Sequence, residues 1–270
     1  VVISVLLIVF VSSGYAGRKR VTLAPQEGIY TAEDIEKEII FGREMAAIIL
    51  AGKVLVTDPR LTRYVSLVGQ SIVRHSNRSD IEFYFAVIDS PQINAYATPG
   101  GYIFVNTEAL NLMTNEAELA GVLAHEIAHI SDRHIVKALK IRADDKSMTA
   151  MMGKIVGSGA ESATVVFDQA VGEAMEILFS KGLKIEDEFE ADKQGLFLSA
   201  LAGYAPSAYY DFLSRVQPVI ESKDGELSKT HPSFSERISR LDKITKNEGL
   251  QGLGRTLNKD RFEQSIQNGE

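Results

Sequence analysis

From Asn115 to Leu139 the chain reads as one long helix, and in the apolar middle of it stand His125, Glu126 and His129. Leu119, Val122, Leu123, Ile127 and Ile130 recur around them at helical spacing. Asn115 is placed to cap the first turn, with Glu118 as its reciprocal partner three residues on. A helix this apolar must pack into a core, and polar groups packed with it need partners. Two imidazoles four positions apart share one face, close enough for a single tetrahedral zinc ion. Glu126 lies on the same turn, where it can take a proton from water whose pKa such an ion lowers to roughly 7. The H-E-x-x-H pattern therefore constrains the fold as well as the chemistry, since it demands a buried helix with a polar cavity against it.

Zinc set up for catalysis needs a third protein ligand and an open fourth position. The chain has no cysteine, so that ligand is a histidine or a carboxylate, and there are only five histidines. His134, five residues past His129, projects from a different face, as a residue that ends the helix or supports a ligand from behind. His75 closes an early helix beside Arg74. Downstream, Glu188 and Asp192 are four apart and share a face, so one can close the coordination while the other accepts the ring N–H of a ligand histidine. Taken alone, this pair also suits a solvated acidic face.

The rest of the chain indicates an α+β fold, mostly helical, with a small three-stranded sheet beside the H-E-x-x-H helix. Thr31 with Ala32-Glu33-Asp34 opens a helix to about Leu50, and Asp58-Pro59 opens a second one. Strands are expected at Ile81–Ile88, Asn94–Thr98 and Tyr102–Asn106, joined by tight turns. The Met-rich stretch from Ser147 to Gly182 suits one or two adaptable helices. Others are expected over Ile185–Leu201, after Pro206, and over Ser233–Thr245. In domain terms, residues 1–17 read as a signal peptide, 18–30 as a linker, 31–246 as the folded domain and 247–270 as a polar tail that frays. The leader is expected from the apolar run Val1–Val11, followed by small residues that make Ala16 the last residue before a cut. An exported protein, periplasmic or in the cell envelope, is implied, with peripheral membrane or envelope association compatible. A net charge of -7 argues against nucleic acid as a partner.

These residues resemble the zinc metallopeptidases that include the CAAX prenyl proteases, the HtpX heat-shock proteases and the periplasmic BepA-like proteases, a gluzincin group with a zincin-like domain. The resemblance is carried by Asn94-Ala95-Tyr96-Ala97-Thr98-Pro99-Gly100-Gly101-Tyr102-Ile103, by Glu118 to His129, by Glu188-Phe189-Glu190-Ala191-Asp192, and by Thr230-His231-Pro232 with Glu236-Arg237-Ile238. It implies one Zn²⁺ per chain held by His125, His129 and Glu188, with Glu126 as the catalytic base, Asp192 behind a ligand and Arg237 supporting the site. His231, from the residues alone an exposed loop histidine, would stabilise the oxyanion or occupy the open metal position. Tyr102, Ile103, Phe104 and Val105 would form an exposed strand edge that pairs with an extended polypeptide substrate. The chain departs from the group at Lys184-Ile185, where relatives often carry Ser-Arg. The activity implied is endopeptidase cleavage of unfolded or misassembled proteins. The alternative is a chaperone-like binding protein whose zinc site His231 keeps latent.

Overall fold

The computed structural model describes residues 30–141, 161–222 and 230–267. The expected leader, nearly all of the linker, and Met148, Met151 and Met152 lie outside the described residues. Helix α1 (Ala32–Ala51) starts where local chemistry dictates: Thr31 Oγ1 accepts from Asp34 N at 3.1 Å, and the Asp34 carboxylate accepts from Thr31 N at 2.8 Å. Asp58 caps α2 (Pro59–Val73) through Arg60 N at 2.8 Å, with Pro59 in the first turn.

The sheet holds four strands rather than three: β1 (Val54–Leu55), β2 (Tyr84–Asp89), β3 (Ala95–Thr98) and β4 (Tyr102–Asn106), in the order β1-β2-β4-β3. β1 is two residues long, too short to leave a periodic signal. β4 runs parallel to β2 and antiparallel to β3, so it is an inner strand. The turn from β3 into β4 at Pro99–Gly101 puts Gly100 at φ 75° and Gly101 at φ 98°. A Cβ on Gly101 would also sit 1.9 Å from Glu82 O, so this turn requires glycine on both counts.

After α3 (Thr107–Asn111) comes α4 (Glu116–Ser131), and every one of its residues is buried. The sheet lies against it on one side, with α2 and α7 (Ile185–Leu201) and α8 (Ser207–Ser222) around the rest. Enclosure on all sides explains why so many of its positions are apolar or small. Asn115 caps α4 as expected, at 3.1 Å to Glu118 N. The reciprocal bond differs: the Glu118 carboxylate takes Thr114 N at 2.9 Å and a fork from Arg215 at 2.7 and 2.8 Å.

The helix does not run on to Leu139. It stops at Ser131, and α5 (His134–Ala138) restarts after Arg133, which adopts φ 54°. Buried ion pairs fix this break. Arg78 donates to Ile130 O at 2.8 Å and to Glu38 at 2.9 and 3.0 Å, while Arg133 donates to Glu38 at 2.9 Å and to Asp80 at 3.1 Å. α6 (Glu161–Glu176) widens into a π turn, Ile177–Lys181, that ends on Gly182.

α9 (Phe234–Asn247) is capped by Ser233 and followed by α10 (Lys259–Gln267). The tail was expected to fray, but residues up to Gln267 are ordered into the domain. Phe262 is buried, and the fully buried Glu116 draws Arg261 and Asn258 to itself along with Tyr64 and Tyr204. A polar composition concealed a segment that serves as counter-ion to a core carboxylate.

Candidate metal centre

The site forms where α4 and α7 come close. At Gly195 a Cβ would lie 2.8 Å from His125 N, so the two backbones approach at a distance only glycine permits. Glu188, two turns earlier on α7, is thereby brought over His125 and His129.

The two imidazoles meet through their Nε2 atoms at 3.0 Å. Glu188 Oε2 lies 3.7 Å from His125 Nε2, and Oε1 lies 3.6 Å from His129 Nε2. Tetrahedral zinc with bonds of about 2.0–2.1 Å separates its ligand atoms by about 3.3 Å, so the three residues fit that ion. Their chemistry fits too. Glu188 Oε2 is buried with no hydrogen-bond partner among the described residues, His231 Nε2 being 3.3 Å away without bonding geometry. A buried carboxylate oxygen in that condition is costly unless a cation takes it up.

Burial lowers the pKa of both ligand histidines, helped by the Arg237 charge and, for His129, by the neighbouring rings; both are thus in the neutral form that binds metal. Glu188 is pushed well above the usual carboxylate range by burial and by Asp192 and Glu126, against the pull of Arg237. Burial raises Glu126 to about 8, again opposed by Arg237. A neighbouring cation would favour the ionised form of both carboxyls.

Asp192 stands behind His125, with Oδ1 3.0 Å from Nδ1. Burial disfavours its charge, yet two bonds from Arg237, at 2.8 and 2.7 Å, with the contact to His125, hold the carboxyl well below its usual range. Tyr209, which carries no sequence signal, completes this group: its hydroxyl donates to Asp192 Oδ1 at 3.1 Å and accepts from Arg237 at 2.6 Å.

His231 reaches the same place from the segment before α9. Its Nδ1 is 2.9 Å from Thr230 Oγ1, and it lines both small cavities beside the histidines. One, of about 40 Å³, also touches Asn94, Ala95, Glu126 and His129; the other, of about 50 Å³, is walled by Tyr209, Phe212 and Val216. His75 is exposed and takes no part in the cluster.

Two expectations need correction. β4 is paired on both sides, so Tyr102, Ile103, Phe104 and Val105 cannot offer main-chain groups to a peptide. Among the described residues, β3 is the outer strand of the sheet beside the site. Asn94 O accepts from Asn106 N at 3.0 Å, and the alternation of an antiparallel ladder then turns the main-chain groups of Ala95 and Ala97 away from β4; the Ala95 N–H donates to Asn94 Oδ1 at 2.9 Å, and Ala97 is buried. His134 does not point away from His129: their Nδ1 atoms are 2.9 Å apart. A continuous helix would have separated them, and the break at Arg133 brings them together.

A sequence model of peptidase family M48 matches residues 59–245, and the chain belongs to that family. Among relatives, the beta-barrel assembly-enhancing protease of Yersinia pestis is 30% identical over 213 residues, covering 76% of this chain and 43% of that protein. The protein of the same name from Escherichia coli K12 is 29% identical over 197 residues, 68% of this chain and 39% of its own length. The mitochondrial metalloendopeptidase OMA1 of Schizosaccharomyces pombe is 32% identical over 191 residues, 67% of this chain and 52% of the yeast protein. The chain thus spans about half or less of the length of these relatives. They support the BepA-like side of the resemblance; the link to CAAX prenyl proteases finds no support among them. Among the described residues, no helix is long and apolar enough to cross a membrane.

Proposed function

We propose that the chain is a zinc-dependent metalloendopeptidase that cuts unfolded or misassembled polypeptides, exported to the periplasm or cell envelope for quality control there. The observation that carries this reading is the convergence of His125, His129 and Glu188 from two helices, beside a buried Glu126 whose carboxyl lines the same cavities. Zn²⁺ held by that trio supplies Lewis acidity, which polarises a peptide carbonyl and brings water ionisation near neutrality. Glu126, which the neighbouring cation would hold ionised against the effect of burial, takes the proton from water and passes it to the departing amine. Asp192, locked by Arg237 and Tyr209, orients His125. His231 steadies the developing oxyanion. An extended substrate pairs with the edge of β3 at Ala95, which lines both small cavities, an arrangement that favours open polypeptide over folded protein, and the cavity under Phe212 and Val216 takes an apolar side chain. The name of one set of relatives, beta-barrel assembly-enhancing protease, supports a role in the quality of protein assembly.

A second reading keeps the metal but not the turnover. His231 Nε2 lies 3.3 Å from Glu188 Oε2, near enough to occupy the fourth position and hold the site latent, leaving a chaperone-like binding protein. Casein cleavage with metal content measured alongside separates the two. Zinc-loaded wild type should cut, Glu126→Gln should retain zinc and lose activity, and Glu188→Ala should lose zinc. If only His231→Ala cuts, His231 is a gate. If neither it nor wild type cuts while both carry zinc, the peptidase reading fails.

A further inference from the structure

The two ligand histidines are backed by unlike partners. Behind His125 stands the Asp192 carboxylate; behind His129 stands the imidazole of His134, with Nδ1 to Nδ1 at 2.9 Å and ring centroids 5.0 Å apart at 76°. Resting on the zinc reading of the site, we infer that His134 is a positioning residue for His129, which it commits to the one tautomer that can bind metal.

The argument follows from where one proton sits. A contact between two imidazole nitrogens needs one donor and one acceptor. If His129 Nε2 is to offer its lone pair to a cation, the ring proton of His129 is on Nδ1, and His134 Nδ1 accepts it. The proton of His134 is then on Nε2. The reverse arrangement, with His134 donating, puts the His129 proton on Nε2 and closes the ring to metal. The tautomers of the two residues are therefore coupled, and only one pair of them is competent.

The surroundings of His134 favour that pair. Among the described residues its Nε2 has no hydrogen-bond partner, and the nearest carboxylate oxygen, Glu190 Oε2, is 3.8 Å away, on the side where a proton on Nε2 is attracted. His134 is 1% exposed, so water cannot readily substitute as acceptor for His129. Its position is enforced by the chain. Five residues along an unbroken helix turn a side chain about 140° away from the first. Arg133, held at φ 54° by Glu38 and Asp80, cancels that rotation by ending α4 and restarting the chain as α5. The buried salt-bridge network, 40 to 95 residues apart in sequence, thus acts on the metal centre through the placement of a single ring.

The test uses the whole chain, zinc-loaded and chelator-treated. In long-range ¹H–¹⁵N spectra of histidine-labelled, zinc-loaded wild type, His129 should carry its proton on Nδ1 and His134 on Nε2. Zinc affinity from competition with a chromophoric chelator should fall about 10–100-fold in His134→Leu. His134→Asn, whose Oδ1 falls close to where Nδ1 was and accepts the same proton, should recover most of it, which a loss of packing alone would not allow. His134 protonated on Nδ1 in the zinc-loaded protein, or a leucine variant as tight as wild type, overturns the inference. If the leucine variant does not fold, the tautomer in wild type decides alone. A wild type that takes up no zinc overturns the peptidase reading instead.

Discussion

Removing the metal should make stability depend on pH through Glu126, and the size of the effect can be worked out. In the metal-free protein this carboxyl is pushed by burial from 4.5 to about 8, so folding takes up a proton at any pH between the two. A carboxyl raised in this way contributes stability that is fully present below its unfolded pKa and lost as pH rises through the folded one. At about 1.4 kcal/mol per pH unit, tapering as Glu126 itself ionises, wild type should lose about 2 kcal/mol between pH 6 and pH 8 on account of this group. Glu126→Gln removes the titration and keeps the shape. Glu188, also raised, chiefly by burial and only in part by Glu126, is present in both proteins, so most of its titration cancels in the comparison. The assay is urea unfolding of chelator-treated wild type and Glu126→Gln at pH 6, 7 and 8. The stability difference between them should shift by about 2 kcal/mol across that range in the stated direction. With zinc bound, a nearby cation lowers the Glu126 pKa and the difference should shrink. Parallel pH profiles for the two metal-free proteins would refute the reasoning.

Two further outcomes concern the frame around the site. Gly195→Ala places a Cβ 2.8 Å from His125 N, against main chain that cannot step aside, so it should cost about 1–3 kcal/mol and weaken zinc binding by displacing Glu188. Thermal unfolding and chelator competition check both, and unchanged values would mean the α4–α7 contact is looser than described. Asp192→Asn strands Arg237, 2% exposed, without its counter-charge and should cost about 3–5 kcal/mol in denaturant unfolding. Breaking the exposed Arg240–Glu236 pair should cost about 0–1 kcal/mol. Because the Asp192 pKa is depressed, its contribution is present above the unfolded carboxylate range and is lost as pH falls.

What could be read from the residues, and what could not, divides along the range of the interactions. Thr31, Asp58, Asn115 and Ser233 announced their helices because a cap is a bond across two or three residues, and the helices start where those residues stand. His125 and His129 were legible for the same reason, being one turn apart. The residues narrowed the third ligand to Glu188 or Asp192, but only resemblance chose between them and singled out His231, since nothing in an acidic helix or a Thr-His-Pro loop says which distant face it meets. Strand order was hidden because the alternation within β4 is the same whether it lies inside the sheet or at its edge; its inner place follows from β3 folding back across its far side. His134 is the most instructive case. Periodicity assigns a face only while the helix lasts, and this helix ends through Arg78 and Arg133, whose partner Glu38 lies on α1. A buried ion network distant in sequence therefore sets the angle of the residue behind a metal ligand. That is why substitutions at Glu38 or Asp80, far from the histidines in the chain, should be read for their effect on metal binding as well as on stability.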